Sequence, residues 1–324
     1  MRKIIAVVLL AGVVVLASAQ SGTNSPYSQY GLGALASQAT GFNRGMNGLA
    51  YGFHERNQVN YMNPASYASV DSLSFIFDAG VGLHLTNYEE NGHKVNAKNA
   101  NLEYIVASFR AFKHLGVSFG VLPYSNVGYN FSNTKNINAF NNPSSPNATF
   151  SNIYSGNGGL HQVYLGAGWS PFKGFAFGAN ASYLWGSLNR NVLNIYSDTY
   201  VNTLSKEYAS QVKSYKIDFG VQYTQKLDRK NKLTLGLIYS LGHKLNSDSK
   251  CSVVSKNSQT GVSDTTSYIL ADAFELPSTY GVGLMWNHDN RLKIGVDYQL
   301  QKWAKIKYPQ LDVNGTTMNY SLVG

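Results

Sequence analysis

The sequence predicts an all-β membrane protein, a transmembrane antiparallel β-barrel, and three observations carry that reading. The chain opens with an export leader. Its 324 residues are 13% charged, against about 25% in an ordinary soluble chain, while Tyr (23), Phe (15) and Gly (31) abound. Beyond the leader no long apolar run occurs, yet apolar residues recur at every second position. A wall that meets lipid with one face needs apolar side chains only at alternate positions. That reconciles a bilayer location with a mean hydropathy of -0.20.

The leader occupies residues 1–19. Arg2 and Lys3 precede an apolar run from Ile4 to Leu16, and Ala17, Ser18 and Ala19 form a small-residue cleavage site, the pattern of a secretory signal peptide. The run is shorter than the roughly 20 residues a spanning helix needs. Cleavage is expected after Ala19, and no Cys follows it to make a lipoprotein. An exported barrel belongs in the outer membrane of a Gram-negative bacterium. The formal charge of +9 is spread over single basic residues such as Lys213, Lys216 and Lys226, a pattern that argues against nucleic-acid binding. The single cysteine, Cys251, has no partner for an internal disulfide and is expected in a loop.

From Asp71 onward the period is two. In "FAFGANASYLWG" the set Phe175, Phe177, Ala179, Ala181, Tyr183 and Trp185 shares one face, against Ala176, Gly178, Asn180, Ser182 and Gly186. "YKIDFGVQYT" and "LKIGVDYQLQ" repeat the pattern, as do residues 73–85, 163–169 and 233–241. The greasy face is rimmed by Tyr and Trp, as aromatic girdles require. The other face is small, polar or charged (Asp78, Lys216, Asp218, Asp297), suited to a wet or plugged interior. A secreted β-sandwich or β-rich adhesin also alternates, but it turns such faces outward.

Connections separate the two further. Short links at 112–114, 170–174, 226–232 and 287–290 alternate with long Asn- and Ser-rich links at 87–98, 132–158, 189–210 and 246–265. That is the rhythm of short periplasmic turns and long external loops. With residues 266–286 taken as one strand interrupted at Pro277, about nine strands are expected. Nine is odd, and single-chain bacterial barrels are even-numbered. The terminal "DVNGTTMNYSLVG" would fall in the next external loop. The expectation is therefore about nine strands of a larger, even-numbered barrel that is incomplete at its C-terminus.

Residues 43–67 fit neither period. "GFNRGMNG", which supplies Gly41, Arg44, Gly45 and Gly48, is followed by Asn63, Pro64 and Ala65. With "SPYSQYGLG" (25–33), "LPSTYGVGLMW" (276–286) and "DYQLQKW" (297–303), this order and spacing resembles the FadL/TodX family of outer-membrane transport proteins. The resemblance runs from about residue 25 to 303. It implies a barrel of roughly fourteen strands, an even number as bacterial barrels require, with an N-terminal hatch inside it. It also implies passive uptake of long-chain fatty acids or other hydrophobic compounds, with lateral exit at a kink in the third strand. On that template residues 20–70 are the hatch and 71–324 the barrel. The hatch motif is Gly41, Arg44, Gly45, Gly48, Asn63, Pro64 and Ala65. The lateral-gate kink is Gly120, Pro123, Tyr124 and Asn126, since Pro123 cannot donate a ladder hydrogen bond; a simple bulge near the rim is the plainer reading of that proline.

Arg44 is expected to pair with an inward carboxylate such as Asp78, because a charge held in a lumen needs a partner; a solvated arginine on a mobile segment is the alternative. Asn63, Pro64 and Ala65 are expected to shape the turn into the first strand. "GVSFG" (116–120) imitates a nucleophile elbow, but Ser118 lies inside an alternating strand rather than a strand-to-helix turn. "GLGALA" (31–36) imitates a dinucleotide fingerprint without a preceding strand. The histidines, among them His54, His84, His161 and His288, lack metal-ligand spacing. No enzyme, cofactor or metal is expected. The expected partners are hydrophobic small molecules, outer-membrane lipid and the barrel assembly machinery, with the protein a monomer. A second role implied by the resemblance is a docking or shuttle component for protein secretion at the outer membrane.

Overall fold

The computed structural model describes residues 22–90, 93–136, 148–270, 273–311 and 317–321. The leader and its cleavage site lie outside the described residues. The dominant element is a curled antiparallel sheet built from consecutive strands joined as hairpins. β1 (Ala34–Leu35) lies off the wall. The wall begins with β2 (Phe75–Glu90), β3 (His93–Phe112), β4 (Leu115–Asn136), β5 (Thr149–Phe172), β6 (Phe175–Tyr196), β7 (Thr203–Lys226) and β8 (Asn231–Ser240). The chain then leaves the wall for β9 (His243–Lys244), β10 (Ser247–Lys256), β11 (Ser263–Ile269) and β12 (Glu275–Leu276). It returns as β13 (Thr279–His288) and β14 (Leu292–Gln301), and ends in the separate hairpin β15 (Lys307–Leu311) and β16 (Thr317–Ser321). The wall order is β14-β13-β8-β7-β6-β5-β4-β3-β2, nine strands among the described residues.

The alternation in the sequence maps onto the two faces of this wall. Phe177, Tyr183, Val163, Leu165, Phe219, Leu235, Val282 and Val296 are exposed on the convex face, while their neighbours Gly178, Asn180, Ser182 and Asp218 are buried on the concave one. Aromatic contacts form two belts on the outside. Trp169 meets Phe177 and Phe172 stacks on Phe175 near the short turns. Tyr183 stacks on Trp185, and Tyr239 meets Tyr280, nearer the other end. From Phe175 to Trp185 a tilted strand climbs about 25 Å, the height of a lipid-facing apolar band.

Three expectations change here. The long Asn- and Ser-rich links are mostly strand: β4 and β5 stay paired up to Asn136↔Thr149, and β6 and β7 up to Asn194↔Leu204. With no lipid to meet above the belt, these ladders keep their backbone hydrogen bonds and drop the apolar face. Residues 266–286 are not one strand. β11 pairs with β10, β10 pairs with the far end of β7, and only β13 rejoins the wall, where Thr279 lies opposite Ser240. Pro277 lies in the gap between β12 and β13, consistent with its inability to donate to a ladder. Cys251 is not in a loop; it sits in β10, buried in an apolar cluster.

Candidate functional site

The concave side has two storeys. In the lower one, near the short turns, residues 40–70 fill the curve of the wall. This segment is short of regular structure: one helical turn, α1 (Gly41–Gly45), and a 3-10 helix at Pro64–Ser69. Its backbone polar groups must therefore be satisfied from outside. Inward side chains of the wall do much of this. Asp297 accepts from the Ala50 and Tyr51 amides at 2.6 and 2.9 Å. Gln222 donates to the carbonyls of Tyr51 and Phe53, and Asn180 donates to that of Tyr61. Tyr67 in turn donates to the Asn180 side-chain oxygen. This is why much of the lower inner face is polar, beside the apolar patch where Val106, Leu122 and Tyr164 pack on Val59, Tyr61 and Tyr67. It is also why it is glycine-rich: a Cβ on Gly236 would stand 1.8 Å from the Tyr51 carbonyl oxygen, and one on Gly178 2.5 Å from Pro64.

The structure places the hatch-motif residues in this storey, with distinct tasks. Asn63 caps the 3-10 helix by accepting from the Ala65 amide, and donates to the Tyr51 carbonyl at 2.7 Å. Pro64 sits at the start of that helix, and Ala65 is completely buried. The Gly41 amide donates to the Tyr104 hydroxyl at 2.7 Å. Gly48 takes φ +85 in the turn after α1, whereas a Cβ on Gly45 would meet nothing. Arg44 does not pair with Asp78. Its guanidinium bonds Glu103 at 2.7 Å, and Glu103 also holds His84 at 2.8 Å. Asp78 instead accepts from the Tyr104 hydroxyl. Glu103 and Asp78 both lie on the inner side of the first hairpin, and sequence spacing does not say which comes opposite α1.

Near mid-height the wall kinks. β4 pairs with β5 up to Pro123↔His161, and the register then shifts so that Ser125 faces Leu160, leaving Tyr124 as the extra residue of a bulge. The inward parity of β4 thereby moves from Ser118 and Leu122 to Ser125, Val127 and Tyr129. The disturbance continues across the neighbouring strands through Gly159 (φ +153) and Gly186 (φ +154), conformations open to glycine alone. These two glycines were legible only as loop and strand filler.

On its other side β4 loses β3. Their ladder runs from Phe112↔Leu115 to Ile105↔Val121 and no further among the described residues. β1 takes the vacated edge: Ala34 pairs with Asn126 and Leu35 with Ser125. The Ala36 amide donates to the Tyr124 carbonyl at 2.9 Å, and Gln38 donates to that of Pro123. Further along, Ser28 exchanges hydrogen bonds with the Gly128 backbone, while Asn24 bonds Asn99 and Asn101 bonds Gly22 on the β3 side. The stretch 22–36 is thus a strap bridging the opening between β3 and β4. Of the four kink residues, Pro123, Tyr124 and Asn126 lie at this opening. Gly120 lies just below it, still in the ladder, where a Cβ would stand 2.4 Å from the Ile105 carbonyl oxygen.

The upper storey is apolar. Leu160, Leu184, Leu188 and Val212 of the inner wall pack with Val127 and Tyr129, and residues 241–270 and 273–276 cover them with Leu245, Leu270, Phe274 and Leu276. Arg190 reaches from this wall to the Gly31 carbonyl. Between the storeys lies a cavity of about 330 Å³ lined by residues of the strap, the lower segment and β4, β7, β8, β13 and β14. Its polar corner holds Lys216 paired with Asp218, which also accepts from Ser240 at 2.6 Å and from Tyr61 at 3.3 Å. Burial pushes the Tyr61 hydroxyl well above its ordinary ionisation range, so it stays a neutral hydrogen-bonding group.

Ser118 of the elbow-like motif is a buried strand residue that donates to the Ala107 carbonyl. Among the described residues no cluster of His, Cys, Asp and Glu is arranged to hold a metal ion.

A curled antiparallel wall girdled by aromatics, with its N-terminal segment packed inside, defines the class: a FadL/TodX-like outer-membrane β-barrel protein. Two solved structures share the fold. The toluene transporter TbuX of Ralstonia pickettii is 14% identical at a TM-score of 0.52, over 92% of this chain and 79% of that one. The CymD monoaromatic hydrocarbon channel is 14% identical at 0.51, over 90% and 76%. No curated protein matches the chain by sequence. Within this class the BamG family model matches residues 1–322, and the chain belongs to the BamG family.

Proposed function

We propose that this protein takes up hydrophobic compounds passively across the outer membrane, with residues 20–70 as the hatch and the opening between β3 and β4 as a lateral exit. The observation that carries this reading is the end of the β3–β4 ladder at Val121, with β1 held on the freed edge by only a short ladder. A solute leaving there passes from the protein interior into lipid without crossing water, so no energy source is needed. The solved relatives of the same fold carry toluene and monoaromatic hydrocarbons by name, which supports a hydrophobic cargo; long-chain fatty acids are the cargo the family resemblance adds. The leader, cleaved after Ala19, delivers the chain to the export route.

Joining the strap to β4 tests this. Ala34→Cys with Asn126→Cys, in a Cys251→Ser background, places two thiols at paired positions. Oxidation is expected to abolish uptake of radiolabelled toluene or oleate into cells carrying the full-length gene, and reduction to restore it. Equal uptake in both states rejects the lateral exit.

The packed upper storey favours a second reading, a docking component for exported proteins at the outer membrane. Leu245, Leu270, Phe274 and Leu276 fill the apolar space a cargo would occupy, and polar hairpins rise above the aromatic belt. Stable co-purification with secretion or barrel assembly machinery, together with unchanged uptake on gene deletion, would select it.

A further inference from the structure

We propose that the 330 Å³ cavity between the two storeys is a binding site that prefers a small neutral aromatic alcohol, a phenol-type molecule, over the hydrocarbons and carboxylates that the uptake route also admits. This rests on the uptake reading and narrows its cargo. The volume falls at the low end of the ~300–1,000 Å³ range of small-molecule sites and suits one ring with a short substituent. Three tyrosines, Tyr51, Tyr61 and Tyr124, line it together with Leu35, Ile238 and Leu276, giving flat faces for a ring.

Charge sets the class of head group. Among the described residues the only charged ones lining the cavity are Lys216 and Asp218, two residues apart on one face of β7 and bonded to each other. The lining has no net formal charge. The ammonium is engaged by the Asp218 carboxylate and lies 3.4 Å from the Tyr61 hydroxyl. An entering carboxylate would meet Asp218 as a like charge and find no free cation, which disfavours binding in a low-dielectric site.

Two hydroxyls set the rest. Tyr124, nine-tenths buried at the bulge, and Thr279, at the start of β13, both line the cavity. Neither hydroxyl has a hydrogen-bond partner among the described residues. A hydrocarbon would cover them and leave them unpaired, whereas a ligand O–H can donate to one and accept from the other. The β4–β5 bulge, three residues beyond the last β3–β4 pair at Val121, thus also presents the recognising hydroxyl.

Calorimetric titration of the purified full-length protein in detergent with 4-propylphenol, propylbenzene and hexanoate tests the assignment. The phenol is expected to bind at least tenfold more tightly than either competitor. Tyr124→Phe keeps the ring and the bulge and is expected to remove most of that advantage while leaving propylbenzene affinity unchanged; Thr279→Val serves as a second, independent variant. Ile238→Trp, which fills the cavity, should abolish binding of all three. Equal or tighter binding of propylbenzene or hexanoate overturns the proposal, as does an undiminished phenol preference in both hydroxyl-deleting variants. Uptake into liposomes separates the two readings. Phenol-selective binding without uptake supports this site while discarding transport, and uptake without selectivity discards this site alone.

Discussion

The lower and upper storeys share strands, and often a single inward stripe of residues, yet the stripe changes chemistry between them. On β6 the inward series runs Gly178, Asn180 and Ser182 below, then Leu184 and Leu188 above. On β7 it runs Gln222 and Asp218 below, then Val212 above. What differs is the segment each stripe faces. The lower one meets an irregular segment whose backbone must be hydrogen-bonded by side chains, so polar groups and missing Cβ atoms are required. The upper one meets the side chains of Leu245, Leu270, Phe274 and Leu276, where apolar packing suffices. The inner face of such a wall is therefore specified by its filling rather than by a generic wet lumen.

If that contrast is right, deforming the lower storey should act through backbone approach. Gly236→Val, which drives a side chain into the Tyr51 carbonyl, is expected to displace residues 40–70, at a cost of about 3 kcal/mol or more as overpacking against backbone. Conductance in planar bilayers should rise sharply; an unchanged closed state breaks the account. The upper storey should answer to volume instead. Leu184→Ala, at a fully buried site, should cost about 2–4 kcal/mol in thermal unfolding and leave conductance closed. A leak from this variant would mean that the upper packing, not residues 40–70, seals the molecule.

A finer test concerns electrostatics. Arg44→Ala removes a cation whose side chain is 31% exposed and leaves Glu103 with His84 alone. Faster hydrogen exchange in residues 39–48 is expected, by about one order of magnitude, as for a partly buried pair worth about 1–2 kcal/mol. Glu103→Gln should reproduce it and Asp78→Asn should not, since Asp78 bonds Tyr104. Equal effects of the two carboxylate variants would refute the pairing. Cys251→Ser places a hydroxyl in the upper cluster and should cost about 1 kcal/mol. In intact protein the buried thiol should stay unlabelled by a polar maleimide.

Much of the wall was legible from residue period alone. Alternation is a local consequence of strand geometry, so the outward sets of β6, β7 and β14 could be read directly. The strand lengths could not, because above the belt both faces are polar and the period fades. Nor could the partner of Arg44, which depends on where α1 docks, or the row of Gly159 and Gly186, whose meaning comes from lying beside the Tyr124 bulge. Leu184 and Leu188 break the polar inner stripe of β6, and only the upper cluster, which supplies their neighbours, explains them.

By itself, then, the sequence determined that this chain is a lipid-facing β-wall with an irregular N-terminal segment, because composition and period act residue by residue. Only the tertiary structure decided what that segment does along its length: residues 40–70 fill the lower curve, and residues 22–36 bridge the opening where β3 and β4 part. Those placements rest on contacts between residues far apart in the chain, such as Asp297 with Tyr51 and Asn126 with Ala34. No local pattern encodes which distant strand edge a two-residue strand will find.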